Sequence, residues 1–155
     1  MKVNVKKLIF HLALPLAVGG LSALISGGMG SYGNMNQPPL SPPGWIFPVV
    51  WTILYLLMGY AAYRVSVSGG DPGEIQKALR VYWAQLALNF LWSPVFFGLQ
   101  WYWAAFAVLL ALWVMIYLTM HLFGVIDDTA ENLLIPYLLW VTFAGYLNLG
   151  VALMN

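Results

Sequence analysis

Five long apolar runs, separated by short turn-rich breaks, organise this chain from end to end. They cover roughly Leu8–Ile25, Trp45–Val65, Leu79–Leu99, Trp101–Phe123 and Leu133–Met154. Each approaches the ~20 residues that a helix needs to cross a hydrocarbon layer of about 30 Å. Only Gln100 parts the third run from the fourth, which predicts a tight antiparallel helical hairpin. Helix-start chemistry precedes two of the runs. Asp71-Pro72-Gly73-Glu74 offers an N-cap acid, a proline at the first helical position and a glutamate at the third. Asp128-Thr129-Ala130-Glu131 repeats that logic without the proline. The first run follows Lys2, Lys6 and Lys7 and ends at Ser26-Gly27-Gly28, an outline shared with secretory leaders. Its length and its Pro15, Gly19 and Gly20 favour a retained span.

Composition agrees with the pattern. The chain is 62% apolar and 7% charged, whereas soluble domains carry about 25% charged residues. A soluble enzyme or nucleic-acid binder is excluded, and a net charge of +1 offers no phosphate-binding surface. Without cysteine there is no disulfide framework, thiolate chemistry or zinc ribbon. Residues 1–155 therefore read as a single all-α membrane domain, a bundle of five transmembrane helices.

The charges add an orientation. With five spans, the N-terminus and the second and fourth connections share one side of the membrane. Lys2, Lys6, Lys7, Arg64, Lys77 and Arg80 fall there, as do all five acids. The positive-inside rule then predicts a cytoplasmic N-terminus and an outer C-terminus, as in a bacterial cell membrane.

No formal charge sits near a span centre, whereas proton relays and ion-coupled transporters use intramembrane acids and bases. An odd span count also does not divide into two equal inverted repeats. His11 and His121 lack paired ligand spacing and read as interfacial histidines at helix ends, so no metal site is expected. No Ser-His-acid set, phosphate loop or carboxylate pair is present for hydrolytic or phosphoryl-transfer chemistry.

The spans are instead rich in tryptophan. Trp45, Trp101 and Trp103 stand at span starts and Trp83 one turn into the third, as an interfacial aromatic belt requires. Trp51 lies about 9 Å into its span at 1.5 Å per residue, and Trp92, Trp113 and Trp140 are also too deep for the belt. Helical spacing groups the deep residues into stripes: Trp51, Tyr55, Met58 and Ala62; Gln85, Asn89 and Trp92; Tyr137, Trp140, Ala144 and Asn148. Amides at membrane depth need partners, so Gln85, Asn89 and Asn148 should face the bundle. Either they join helices, or they stand among aromatic walls around an intramembrane ligand cavity. Periodicity alone leaves both readings open.

The first connection, Gly27 to Pro43, is uncharged, and Pro38, Pro39, Pro42 and Pro43 stiffen its end. It is long for a plain connector and is placed to cap the outer mouth of the bundle.

Three blocks of residues resemble the TspO/MBR family of tryptophan-rich sensory and translocator proteins. Pro42-Pro43-Gly44-Trp45-Ile46-Phe47-Pro48-Val49-Val50-Trp51-Thr52-Ile53-Leu54-Tyr55 is similar to its loop-into-second-helix signature. The block from Gln85 through Asn89, Trp92 and Pro94 to Gly98 resembles the third-helix signature. Pro136-Tyr137-Leu138-Leu139-Trp140, with Phe143-Ala144 and Leu147-Asn148, resembles the fifth. The resemblance implies a five-helix receptor, often a homodimer, whose first loop closes a pocket for porphyrins and other flat hydrophobic molecules. It implies no required cofactor; protoporphyrin IX or a haem-like tetrapyrrole enters as ligand. Tyr32, Trp51, Tyr55, Asn89, Trp92, Trp140, Ala144 and Asn148 are the implied ligand-facing positions. Trp51 and Trp140 also match tryptophans linked in the family to light-dependent porphyrin breakdown.

Three departures stand against the pattern. Ser31 and Leu40 replace loop tryptophans common in the family, and Gln37 replaces a usual lysine. Leu149 to Asn155 contain neither the tyrosine nor the basic residue of the animal cholesterol motif, so cholesterol is not an expected partner. Small residues Gly19 and Ala23, or Ala84 and Ala87, offer a helix-packing face for a dimer or for the chain itself. Three functions follow as expectations: a tetrapyrrole-binding sensor or translocator, a photo-oxidative porphyrin-degrading site at Trp51 and Trp140, or a non-catalytic membrane scaffold.

Overall fold

The computed structural model describes residues 3–27 and 30–155, so Lys2 and Gly28 lie outside the described residues. Helix α1 spans Val5–Ile25, α2 Ile46–Ser66, α3 Pro72–Ser93 and α4 Tyr102–Ile126. A short α5, Asp128–Leu133, leads into α6, Ile135–Met154, and the two form the fifth span. Among the described residues there is no strand. Packing closes a ring: α1 contacts α2 and α3, α4 contacts α3 and α6, and α2 meets the fifth span. Consecutive helices therefore lie side by side except where α2 is followed by α3, which cross the bundle.

Four of the five spans are long and apolar enough to cross a membrane on composition alone. The exception is α3, because it carries Lys77 and Arg80 near its start and Gln85 and Asn89 at its centre. Both amides are buried against the other helices rather than turned to lipid. Its polarity is therefore internal, and the five-span reading holds.

Prolines shape the contacts between helices. Pro15 within α1 lacks an N–H and so leaves the His11 carbonyl without its intrahelical partner. That carbonyl faces Gly59 of α2, where an added Cβ would strike it. The His11 side chain is buried, while His121 is exposed. Pro94 likewise frees the Phe90 carbonyl, which accepts from Ser22 Oγ of α1 at 2.7 Å. Past Pro94 the chain widens into a π turn, Pro94–Gly98, closed by Leu99 N–H donating to the Pro94 carbonyl at 2.9 Å. Gln100, at φ 56°, then reverses it into α4 and completes the hairpin.

Caps mark the opposite end of the bundle. Asp71 accepts from Glu74 N–H at 3.0 Å, as its motif requires. At the fifth span the capping acid is Asp127, not Asp128: Asp127 Oδ1 accepts from Ala130 N–H at 3.1 Å. Asp127 is extended, at φ −155°, and Asp128 is already helical. Asp127 also pairs with Arg64 Nε at 3.1 Å.

Candidate functional site

A cavity of about 240 Å³ lies between α1, α2 and α3. Its α1 wall is small, formed by Gly19, Ser22 and Ala23. Gly19 is required there, because a Cβ would overlap the Tyr55 ring. Gly19 thus serves packing within the chain. The α2 wall presents Phe47, Trp51 and Tyr55, one turn apart on one face. From α3 come Asn89 and Trp92, and Phe97 projects from the π turn. The rim at Gly20, Pro48 and Thr52 is exposed on the outer surface of the bundle. No side chain in the wall carries a formal charge.

The aromatic wall is ordered by ring contacts and hydrogen bonds. Trp51 stacks on Tyr55 with centroids 5.5 Å apart and meets Tyr137 edge-on at 6.1 Å. Tyr55 Oη donates to Asn89 Oδ1 at 2.9 Å. Asn89 Nδ2 donates to Tyr137 Oη at 2.7 Å, and Tyr137 Oη donates to Gln85 Oε1 at 2.7 Å. This buried chain runs from α2 through α3 to α6 and back to α3. The amides therefore do join helices, and Asn89 also borders the cavity with one N–H left over from its two side-chain bonds. Helix joining and a place at the cavity border coincide at that residue.

The remaining expected residues lie elsewhere around this cavity. Tyr32, Ala144 and Asn148 border a second, small void of about 10 Å³. Phe47, Trp92 and Phe97 line both spaces and form the wall between them. Trp140 lines neither; it faces an outward groove between α2 and α6, and its buried indole N–H has no acceptor. Phe47 meets Trp140 edge-on at 5.8 Å, so that ring stands at the boundary between Trp140 and both cavities. Deep Trp113 is on the outer face, donating to Thr142 Oγ1 at 2.9 Å. Sequence reasoning missed Phe47 and Phe97 as site residues. The signal for Phe47 was its spacing one turn before Trp51; no periodicity pointed to Phe97, which lies beyond the α-helical register.

The first loop closes the end of the bundle above this wall. Tyr32 sits edge-on to Phe47 at 5.1 Å and Phe97 at 6.5 Å. Its hydroxyl donates to the Pro42 carbonyl at 2.6 Å, and burial pushes the phenol above its ordinary pKa. Ser31 Oγ donates to the Phe97 carbonyl at 3.2 Å. The loop is strapped to α6: Tyr146 Oη donates to the Pro39 carbonyl at 2.6 Å, and Pro38 lies over Gly150. Asn155 Nδ2 donates to the Asn36 carbonyl at 2.9 Å, and its Oδ1 accepts from Asn36 N–H at 3.2 Å. The loop contributes side chains to the small void but none to the larger cavity. Leu40 is exposed at φ 70°.

Comparison with known sequences gives a consistent picture. The model of the TspO/MBR family matches residues 11–154. The tryptophan-rich sensory protein of Cereibacter sphaeroides is 44% identical over 80% of this chain and 76% of its own length. The tryptophan-rich protein TspO of Chlorobaculum tepidum is 37% identical over 100% of this chain and 99% of its own. The translocator protein of Bos taurus is 38% identical over 87% and 82%, respectively.

Proposed function

The chain belongs to the TspO/MBR family, and from that membership and the chemistry of its cavity we propose that it binds a flat tetrapyrrole as a membrane sensor or translocator. It is a multi-pass integral membrane protein. The observation that carries the porphyrin reading is the uncharged cavity walled by Trp51, Tyr55, Phe47 and Trp92, with one amide, Asn89, at its edge. Aromatic faces suit a planar macrocycle, and a single amide orients one polar edge of it. The test is a dark titration of the detergent-purified protein with protoporphyrin IX, following tryptophan fluorescence. Saturable quenching that Asn89→Ala weakens supports the reading; a linear, non-saturating response refutes it.

A second reading is photo-oxidative breakdown of the bound porphyrin, favoured by Trp51 standing in the cavity wall half-buried beside Tyr55. Trp140 lies outside that wall, so its contribution passes through Phe47 contact. Illumination should bleach the bound porphyrin, Trp51→Phe should slow bleaching while preserving binding, and Trp140→Phe should slow it less. Equal bleaching in all three proteins removes this reading.

The proposal extends to topology and assembly. Arg64, the Asp127 cap, the Asp71 cap and the start of α1 share one end of the bundle, where Asn4 N–H donates to Tyr63 Oη at 3.0 Å. That end is assigned to the cytoplasm by the positive-inside rule, in a bacterial cell membrane. A homodimer would use the outer face of α3, where Ala84 and Ala87 are exposed. Cysteine accessibility at Lys77 and Ser41 from the two sides tests the first statement, and crosslinking at position 84 the second.

A further inference from the structure

The two cavities share three walls, Phe47, Trp92 and Phe97, and they differ in how those walls are held. Trp92 is pinned, its indole N–H donating to Asn148 Oδ1 at 2.9 Å. Phe47 and Phe97 have no polar side-chain tether, only ring contacts: Phe47 with Tyr32 and Trp140, Phe97 with Tyr32, Trp92 and Phe96. Their backbones also stand at interruptions in regular helix: Phe47 in the first turn of α2 after the proline-rich loop, Phe97 in the π turn. A cavity of about 240 Å³ falls below the ~300–1,000 Å³ usual for drug-sized ligands. The wall of Phe47, Trp92 and Phe97 therefore bounds the room that a ligand has on the α6 side. Beyond that wall lies the void bordered by Tyr32, Ala144 and Leu147.

We propose that Phe47 and Phe97 form a swinging partition that sets the size of ligand the site accepts. Closed, the partition leaves a compartment for a flat aromatic of two or three rings, with its polar edge at Asn89. Swung aside, it joins the two spaces into one chamber that reaches the α6 wall. This rests on the tetrapyrrole reading only for the identity of the large ligand; the size selection itself follows from the shared wall.

The experiment compares three probes in detergent-purified full chain: 1-naphthamide, a pyrene carboxamide and protoporphyrin IX. Phe97→Leu shortens the partition, and Leu147→Phe fills the far void. Each variant is first compared with the parent by thermal unfolding. The expected result is that Phe97→Leu tightens the two large probes relative to naphthamide by ~10-fold, and Leu147→Phe weakens them relative to naphthamide by ~10-fold or more. Ratios of dissociation constants unchanged in Phe97→Leu overturn the partition, even if Leu147→Phe fails to fold. If protoporphyrin fails with every protein while pyrene and naphthamide separate as described, the porphyrin reading falls and the partition stands. If protoporphyrin binds the parent and all ratios stay fixed, the partition falls and the porphyrin reading stands.

Discussion

Trp92 of α3 donates its indole N–H to Asn148 of α6 across 2.9 Å, and Asn148 Nδ2 in turn donates to the Tyr102 carbonyl at 2.8 Å. One amide thus fixes a cavity-wall indole and the first turn of α4 at once. Asn148 is fully buried, so no solvent substitutes for it.

Asn148→Ala leaves that indole N–H and that carbonyl unpaired in a buried setting. The expected cost is about 1–3 kcal/mol of stability. A drop in the unfolding midpoint measured in mild detergent, with looser Trp92 packing in fluorescence, is the check. An unchanged midpoint means the pair contributes nothing net.

Gly19→Ala places a methyl group against the Tyr55 ring, within 2.5 Å of Cζ and 2.8 Å of Oη. The ring must swing off Asn89, breaking the 2.9 Å bond between them. Overpacking of this kind costs about 1–3 kcal/mol. Gly20→Ala, next along the helix, meets nothing within 4 Å and should be tolerated. Parallel thermal melts of the two variants separate the cases, because local helix propensity changes equally in both.

The strap between the first loop and α6 should govern loop opening. Tyr146→Phe removes the bond to Pro39, and Asn155→Ala removes both bonds to Asn36. At about 0.5–1.5 kcal/mol for each net hydrogen bond, loop amides should exchange up to ~10-fold faster per bond lost. Hydrogen exchange at Asn36, Gln37 and Ser41 reads this directly, and protection equal to the parent's contradicts it.

Asp127 caps α5 and pairs with Arg64, and two substitutions separate those tasks. Asp127→Asn keeps a capping oxygen and loses the ion pair, which is partly exposed and worth about 0–1 kcal/mol. Asp127→Ala also loses the cap, at a further cost of about 0.5–2 kcal/mol. Chemical unfolding at low and high salt should show a salt-dependent loss common to both variants and a salt-independent loss only in Asp127→Ala.

Four spans were legible to within about three residues because lipid imposes length and apolarity on a crossing helix; the third starts at Pro72 rather than Leu79, since its first two turns are polar. Trp45, Trp101 and Trp103 were placed correctly as exposed residues at helix starts. The burial of Gln85, Asn89 and Asn148 followed from the cost of an amide in hydrocarbon, and the structure buries all three. The fifth-span cap was misplaced by one position, since Asp127 and Asp128 are chemically equivalent until the backbone makes one of them extended. Trp140 was grouped with the cavity because its stripe is shared with Tyr137 and Asn148. A stripe is broader than a cavity, and α6 turns Trp140 toward α2 while Asn148 meets Trp92.

Periodicity and composition therefore determined that this chain is an all-helical membrane bundle and which residues turn away from lipid, because both follow from local geometry and transfer free energy. The tertiary structure decided what those inward faces enclose. Ring order brings α1, α2 and α3 around one cavity, and the π turn after Pro94 carries Phe97 between it and the α6 void. Neither outcome is a property of any single helix. Both arise from how side-chain volumes on separate helices interlock, as Gly19 under Tyr55 and Gly59 against His11 show.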